Sequence, residues 1–137
     1  DPAATDAAMR ESWLHTGDMV RVESTGALAF FDREKDMIKR SGENVAAAEV
    51  ERVVNEHPAV FESAAIGVPD DIRDEAIKMF VVLHDGVTAT EADIVEFCRE
   101  RMVRFKVPSH VEFVDRLPRT SVGKIRKHVL RSGGDDR

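Results

Sequence analysis

Residues 60–83 read VFESAAIGVPDDIRDEAIKMFVVL, and the fold is decided in this stretch. It contains two strongly apolar runs, Val60–Val68 and Ala76–Leu83, whose length and composition predict β-strands. Pro69-Asp70-Asp71 ends the first run and Asp85-Gly86 follows the second, because these residue types favour turns over extended pairing. The centre of the chain is therefore predicted to be a β-sheet.

Two helical patterns flank these strands. Ala47–Glu56 is predicted to be a helix that ends at His57-Pro58. Thr90–Arg104 is predicted to be a second helix, in which Thr90 caps the first turn together with Asp93. The apolar residues expected to share a helix face are Val50, Val53 and Val54 in the first helix, and Ile94, Cys98, Met102 and Phe105 in the second.

Shorter elements complete the predicted architecture. Met37–Lys39 is expected to be a short strand, followed by a turn at Ser41–Asn44, because Gly and Asn tolerate positive φ. Val111–Val114 is expected to be the last strand, Arg119–Gly123 a polar loop and Lys124–Arg131 a short basic helix. Strands and helices alternate irregularly after residue 36, which indicates an α+β fold: a small, few-stranded sheet with helices packed on it.

The N-terminal residues follow a different pattern. Met19–Val22 and Ala27–Phe31 are apolar runs separated by ESTG, which predicts a hairpin with Gly26 in its turn. The next residues, DREKD, are all charged, so we expect them to be solvated and to form a linker. The predicted organisation is thus a hairpin segment at 1–31, a linker at 32–36, a domain at 37–132 and a disordered tail at 133–137.

Composition argues against several classes of protein. The 137 residues carry a net charge of −6, which disfavours nucleic-acid binding. No apolar run approaches the roughly 20 residues of a membrane span, and the opening DPAATDAAMR does not resemble a signal peptide. The single cysteine, Cys98, excludes an internal disulfide and is expected to be a buried apolar residue in a reducing cytoplasm.

Charge is unevenly distributed along the chain. Residues 116–131 read RLPRTSVGKIRKHVLR and contain no acidic residue. Such a positive segment on an acidic domain suggests an anionic small-molecule ligand. A solvated basic helix is the alternative, and charge alone favours it.

Three segments resemble motifs of the adenylate-forming superfamily, which includes acyl-CoA synthetases, luciferases and the adenylation domains of peptide synthetases. WLHTGD at 13–18 resembles its TGD motif, and DREKDMIKRSGENVAAAEVE at 32–51 resembles its hinge and following motif. PRTSVGKIRKHVL at 118–130 resembles its last, lysine-bearing motif. The order and spacing of the three are also family-like, over nearly the whole chain. Residues 70–83 and 97–112 are similar to the crotonobetaine/carnitine-CoA ligase subgroup.

The resemblance implies the C-terminal piece of an ATP-dependent acyl-CoA ligase: the tail end of an N-terminal adenylation domain followed by a C-terminal lid domain. Such an enzyme converts a carboxylic acid and ATP to acyl-AMP and pyrophosphate, and then transfers the acyl group to CoA with release of AMP. Its partners would be the acid, ATP, CoA and its own N-terminal domain. That domain would hold most of the ATP and Mg²⁺ and would set acyl specificity. The isolated piece is expected to be inactive, and the whole enzyme cytoplasmic.

The same resemblance implies roles for individual residues. Lys124 would be catalytic, since its ammonium can neutralise the charge that develops between the carboxylate and the α-phosphate. Asp18 and Arg33 would bind the ribose of the nucleotide. Lys35 would be the hinge at which the lid domain turns between two poses, and Glu49 would brace the structure.

Residues of the lid domain would line the channel for CoA and its pantetheine arm. Gly42 would let the backbone approach the pantetheine, with Glu43 beside it. Arg73 and Lys106 could meet phosphate, and Phe105 could stack on adenine, although Phe105 also continues an apolar face and is the better candidate for the core. The five histidines are scattered, and no metal-ligand cluster is predicted.

Two other functions are compatible with these motifs. The chain could belong to an adenylation enzyme that loads a carrier-protein thiol instead of CoA, or it could be an inactive binding module of the same fold. The similarity at 97–112 favours the CoA ligase over the first alternative. The intact Lys124 argues against the second.

Overall fold

The computed structural model describes residues 1–133 and divides into two compact units, Asp1–Lys35 and a larger unit that begins at Asp36. The boundary between the units falls within the predicted linker at 32–36. Of the tail predicted to be disordered at 133–137, Gly133 lies in a turn, and residues 134–137 lie outside the described part of the chain. No helix in residues 1–133 is both long and apolar enough to cross a membrane.

The first unit consists of one short helix and two small antiparallel pairs of strands. Its elements are α1 (Pro2–Ala8), β1 (Met9–Arg10), β2 (Trp13–Leu14), β3 (Asp18–Val22) and β4 (Leu28–Arg33). Strand β1 pairs with β2, and β3 pairs with β4. The second pair is the hairpin that the apolar runs predict, and Gly26 adopts a φ of +82° in its turn.

The charged run at 32–36 is not solvated throughout, so that prediction is wrong for Asp32. Asp32 is only 5% exposed, because β4 continues through it: Asp32 lies opposite Met19, and Arg33 lies opposite Asp18. The Asp32 carboxylate accepts a hydrogen bond from the Arg33 amide at 2.7 Å. Glu34–Asp36 then form a turn of 3-10 helix. The run of charged residues therefore did not mark the end of β4. A carboxylate such as that of Asp32 can be buried within a strand when a hydrogen-bond donor satisfies it.

A mixed sheet forms the centre of the second unit. Its strands are β5 (Met37–Arg40), β6 (Glu43–Ala46), β7 (Val60–Asp70), β8 (Asp74–Leu83) and β9 (His110–Phe113). Strand order is β6-β5-β8-β7, and β9 also pairs with β8. Strand β8 is antiparallel to β5 and β7 and parallel to β9. Strands β7 and β8 form one long hairpin, as the sequence at 60–83 predicts, and the α+β fold is confirmed.

Strand β7 continues beyond its predicted end, through Pro69 and Asp70. Within the described residues it pairs only with β8, so one edge of the strand is open. Backbone amides alternate in direction along a strand, and the Ala65 amide points away from β8, because it donates to Glu51 Oε1 at 2.8 Å. Pro69 shares the direction of Ala65, so its missing N–H costs no hydrogen bond within the sheet.

The turn between β5 and β6 is tighter than predicted. We expected a turn over Ser41–Asn44, but Glu43 and Asn44 already belong to β6. Two residues suffice because Ser41 and Gly42 both adopt positive φ, +52° and +80°. This combination suits the twist of a two-residue hairpin.

Three helices accompany the sheet: α2 (Ala47–Asn55), α3 (Glu91–Arg99) and α4 (Lys127–Arg131). The apolar faces predicted for the first two are confirmed, since Val50, Val53, Val54, Ile94 and Cys98 are buried in one core with residues of the sheet. A smaller cluster contains Ala64, Ile66, Phe80, Val82, Leu117 and Leu130. Side chains alternate along β7, so this second cluster, which includes Leu130 of α4, lies on the other face of the sheet.

Two helices are shorter than predicted. Helix α3 ends at Arg99 instead of Arg104, although Met102 and Phe105 still pack against the core from the segment that follows. Helix α4 begins at Lys127 instead of Lys124. Lys124 therefore lies in a loop.

Thr90→Ala is expected to lower the free energy of unfolding by about 1 kcal/mol, because the Thr90 side chain accepts a hydrogen bond from the Asp93 amide at the start of α3. Thr88→Ala is the matched control, since Thr88 is exposed and outside the helix, and its effect should stay below about 0.5 kcal/mol. Urea denaturation followed by circular dichroism measures both. Equal losses in the two variants would contradict the capping interaction.

Cys98 is expected to resist thiol reagents in the native chain. It is fully buried, and burial raises the pKa of its thiol to about 11, whereas the reactive species is the thiolate. Because the folded-state pKa exceeds the unfolded value of about 8.5, this group also makes stability fall as the pH rises from there to about 11. Titration with Ellman's reagent at pH 8, with and without urea, measures the accessibility. Fast reaction of the native chain would contradict the burial.

Candidate functional site

Lys124 is held at the end of a tight loop. Arg119 and Ile125 form an isolated antiparallel bridge. Between them, the Gly123 amide donates to the Thr120 carbonyl at 2.9 Å, and the Thr120 amide donates to the Lys124 carbonyl at 2.8 Å. The Lys124 amide donates to the Thr120 hydroxyl at 3.1 Å, and Gly123 has a φ of +84°, which favours glycine. The loop thus fixes the Lys124 backbone and leaves its side chain in solvent.

Two ion pairs attach the ends of this loop to the rest of the unit. At one end, Arg119 pairs with Glu62 of β7. At the other end, Lys127 Nζ lies 2.7 Å from Glu51 Oε1 of α2, the oxygen that also accepts the Ala65 amide. The Lys127 and Glu51 side chains are only 14% and 17% exposed. Water screens this second pair less than it screens a surface pair, so the pair can hold the loop in position.

The Lys124 ammonium makes no ion pair or hydrogen bond within the described residues. Lys78, Lys106 and Lys127 differ from it, because the ammonium of each lies 2.7 Å from a glutamate oxygen. An anionic ligand could therefore contact Lys124 without displacing an internal partner. A flexible stem on a fixed loop suits a compact positive charge that must reach a ligand.

The Ser41–Gly42 turn is the second candidate element, and the structure places two other predicted residues beside it. Glu43 follows the turn directly, and the Arg73 carbonyl accepts a hydrogen bond from the Ser41 amide at 3.0 Å. A Cβ atom at Gly42 would meet no atom within 4 Å. Glycine is therefore favoured by its φ, and the outer side of the turn is open to a ligand.

Lys106 and Phe105 lie together on a 3-10 turn, Arg104–Lys106, between α3 and β9. Lys106 Nζ donates to both carboxylate oxygens of Glu49, at 2.7 and 2.8 Å, and this pair ties the turn to α2. Phe105 is half-buried against the main core. Lys106 therefore already has an anionic partner, and Phe105 an apolar one.

Asp18 and Arg33 meet in the first unit. They lie opposite each other in the β3–β4 ladder, and Arg33 Nε is 3.3 Å from Asp18 Oδ1. The Asp18 amide donates to the Thr16 hydroxyl at 3.1 Å, and the Glu34 amide donates to the Gly17 carbonyl at 2.8 Å. Both side chains are partly exposed, so the carboxylate keeps acceptor capacity for a ligand.

Sequence reasoning missed Arg40, which is 7% exposed. Its guanidinium donates to the Val107 carbonyl at 2.7 Å and to the Ser109 hydroxyl at 3.1 Å. Burial and, to a lesser degree, the charge of Arg73 lower the pKa of Arg40, while Asp70 opposes the shift. Arg40 and Arg73 both line an open groove of about 970 Å³. No local motif reveals this pair, because the two residues come from different strands and loops.

Comparison with known proteins identifies relatives over almost the whole chain. The model of the AMP-binding enzyme C-terminal domain matches residues 49–124. The chain is 52% identical over 130 residues to a crotonobetaine/carnitine–CoA ligase of Proteus mirabilis, covering 93% of this chain and 25% of that protein. It is 48% identical over 130 residues to a long-chain-fatty-acid–CoA ligase of Escherichia coli O6:H1, covering 95% and 23%.

A solved structure also resembles the chain. The ATP-bound MatB from Rhodopseudomonas palustris superposes with a TM-score of 0.87 at 34% sequence identity, covering 98% of this chain and 27% of that one. The chain thus spans about a quarter of the length of the proteins that it matches.

Glu51→Ala is expected to destabilise the second unit by about 1–3 kcal/mol, because it leaves the Ala65 amide and the shielded Lys127 ammonium without their acceptor. Glu51→Gln keeps an acceptor for the Ala65 amide and should destabilise the unit less than Glu51→Ala does. Glu56→Ala is the control, since Glu56, the residue after α2, makes an exposed pair with Arg52, and it should cost less than about 0.5 kcal/mol. Urea denaturation ranks the three variants. A loss in Glu51→Ala no larger than in Glu56→Ala would refute the anchoring role.

Proposed function

The chain belongs to the family of AMP-binding enzyme C-terminal domains, and from that membership we propose that it acts as the C-terminal lid domain of an ATP-dependent acyl-CoA ligase. The observation that carries the proposal is the Lys124 loop, which holds an exposed ammonium that has no ion-pair or hydrogen-bond partner among residues 1–133. The names of the two curated relatives, both CoA ligases, support the same reaction. Their acyl substrates differ, and the acyl substrate here is left open.

Lys124 acts in the first half-reaction. A carboxylate oxygen of the acid attacks the α-phosphorus of ATP, the bond between that phosphorus and the bridging oxygen breaks, and pyrophosphate leaves. Negative charge accumulates around the phosphorus, where the compact positive charge of Lys124 lowers the barrier. The hydrogen bonds of Thr120 and Gly123 hold the loop in place before ATP arrives, so little reorganisation is needed.

Asp18 and Arg33 hold the nucleotide in this proposal. A carboxylate offers two acceptor oxygens to the two hydroxyl groups of a ribose. Arg33 Nε approaches Asp18 Oδ1 at 3.3 Å and so orients the carboxylate within the β3–β4 hairpin. Arg33 is itself 46% exposed in its side chain and can add a hydrogen bond to the ribose.

The Ser41–Gly42 turn acts in the second half-reaction, after the lid domain turns at Lys35. The CoA thiol then attacks the acyl carbonyl of acyl-AMP, and AMP leaves. With Glu43 beside it, Gly42 presents bare backbone to the pantetheine arm, and its open outer side gives that arm room. Arg73, next to the turn, is the residue that we assign to a CoA phosphate.

Lys106 and Phe105 are less suited than Arg73 to bind the CoA nucleotide. Lys106 could reach a phosphate only if its contacts with Glu49 were loosened. Phe105 packs against the main core, which favours a structural role over stacking on adenine. We therefore assign both residues to the support of the channel.

Mg²⁺ would accompany ATP in this enzyme. Residues 1–133 contain no group of three or more His, Cys, Asp or Glu side chains placed to hold a metal ion. We therefore assign the metal to the remainder of the ligase and derive no step from it. ATP and CoA are substrates available in the cytoplasm, so we assign the enzyme to that compartment.

A hybrid ligase tests the function. In the Proteus mirabilis relative, this chain replaces the quarter that it matches, and the two half-reactions are measured separately with that enzyme's substrate. Lys124→Ala is expected to slow acyl-AMP formation, followed as pyrophosphate release, by about 100- to 1,000-fold. Thioester formation from supplied acyl-AMP should change by less than about twofold, because that step does not use the ammonium.

Arg52→Ala serves as the control, since the Arg52 side chain is 69% exposed on α2 and lies outside the proposed site, and both of its rates should match those of the unmodified hybrid. The 137-residue chain alone should release no pyrophosphate above background. Equal loss of the two half-reactions in Lys124→Ala would contradict the division of labour. An unmodified hybrid without either activity would overturn the proposed function.

A further inference from the structure

We propose that Glu75, accommodated by Gly67, fixes the position of the Ser41–Gly42 turn and is therefore a positioning residue for thioester formation. This inference rests on the proposed function, because the turn matters to catalysis only if it lines the CoA channel. Neither Glu75 nor Gly67 touches a substrate in this view. Their effect reaches the reaction through the backbone of β5.

The Glu75 carboxylate attaches the end of β5 to β8. Glu75 Oε2 accepts a hydrogen bond from the Lys39 amide at 2.6 Å. Two residues further on, the Ser41 amide donates to the Arg73 carbonyl at 3.0 Å. Strands β5 and β8 otherwise pair at a single position, Arg40 opposite Asp74. The carboxylate thus replaces a missing strand contact immediately before the turn, and a charged acceptor makes this hydrogen bond stronger than a neutral one.

Gly67 provides the space that the carboxylate occupies. A Cβ atom at position 67 would lie 2.7 Å from Glu75 Cδ and 2.8 Å from each of its oxygens. Gly67 lies opposite Ile77 in the β7–β8 ladder, and Glu75 is two residues from Ile77, so both side-chain positions share one face of the sheet. Steric space is therefore the reason for glycine here, whereas at Gly42 it is backbone conformation.

The backbone bends sharply at the residue that precedes Glu75. Asp74 adopts a φ of +61°, in the left-handed region that, besides glycine, mainly Asn and Asp adopt. In this conformation the Glu75 amide donates to the Arg73 carbonyl at 2.7 Å. The same carbonyl therefore accepts hydrogen bonds from two amides, those of Glu75 and Ser41. Asp70 supports the bend by accepting the amides of Ile72 and Arg73 at 3.0 and 2.9 Å. The bend directs Glu75 towards β5.

The proposed effect is specific to one half-reaction. The Ser41–Gly42 turn joins β5 to β6, whereas Lys124 lies in the loop between β9 and α4 and is anchored through Glu62 and Glu51. Loss of the Glu75 contact would let the turn move without releasing the Lys124 loop. Acyl-AMP formation should therefore persist when thioester formation fails.

The structural part is tested on the 137-residue chain itself. Hydrogen exchange measured by NMR should show faster exchange of the Lys39 amide, by about tenfold or more, in Glu75→Ala. Glu75→Gln retains an acceptor oxygen and should restore most of the protection. Glu56→Ala, at the exposed residue that follows α2, should leave exchange of Lys39 unchanged. Unchanged protection of Lys39 in Glu75→Ala would overturn the proposal.

The catalytic part is tested in the hybrid ligase. Glu75→Ala and Gly67→Ala should each slow thioester formation from supplied acyl-AMP by about tenfold or more, while acyl-AMP formation changes by less than about twofold. Glu75→Gln should recover most of the thioester rate. Gly67→Ala acts by displacing the Glu75 side chain, so in the double variant it should add no further loss to that of Glu75→Ala.

The outcomes separate this inference from the function on which it rests. Losses that add in the double variant, or equal losses in the two half-reactions, would overturn the role of Glu75 while leaving the ligase assignment intact. An unmodified hybrid that forms neither acyl-AMP nor thioester would overturn the proposed function, and the catalytic role of Glu75 with it. Circular dichroism of each variant checks that the hybrid is folded, so that equal losses in a folded variant count against Glu75.

Discussion

The pairing of β7 with β8 is the interaction on which the second unit depends. The two strands align from Val60 opposite Leu83 to Asp70 opposite Asp74. Strands β5 and β9 pair with β8 directly, and β6 is attached through β5. The cores on both faces of the sheet take residues from this hairpin. The Lys124 loop and the Ser41–Gly42 turn are thereby positioned relative to the same long antiparallel hairpin.

Three carboxylates attach other segments of the second unit to this hairpin. Glu51 receives the Ala65 amide and Lys127, Glu62 pairs with Arg119, and Glu75 receives the Lys39 amide. The contacts of Glu51 and Glu62 join elements that no strand ladder connects directly, and the contact of Glu75 reinforces a β5–β8 ladder that has a single residue pair. Charged acceptors suit this purpose because a short, directional bond fixes a loop without filling the space that a ligand needs. The ammonium of Lys124 lies beyond these contacts and stays available.

The sequence predicts best the features that depend on neighbouring residues. The buried face of α2 and the Thr90–Asp93 cap each need residues within one or two helical turns, and both are confirmed. The errors at Asp32 and Lys124 concern the ends of elements, which strand pairing and tertiary packing decide. Glu51 and Arg40 were not identified as candidates, because each of these contacts lies at least 14 residues away in the chain.

The outer edge of β7 also has a consequence for contacts between molecules. An open strand edge can recruit a strand from another copy and begin aggregation. Along this edge Pro69 has no amide to offer, and the Ala65 amide is already engaged by Glu51. A second chain approaching here would find an interrupted row of donors. The Glu51 carboxylate, which anchors the Lys124 loop, thus also hinders edge-to-edge association. Loss of Glu51 would free this loop and would also leave the edge of β7 open to pairing with another copy of the chain.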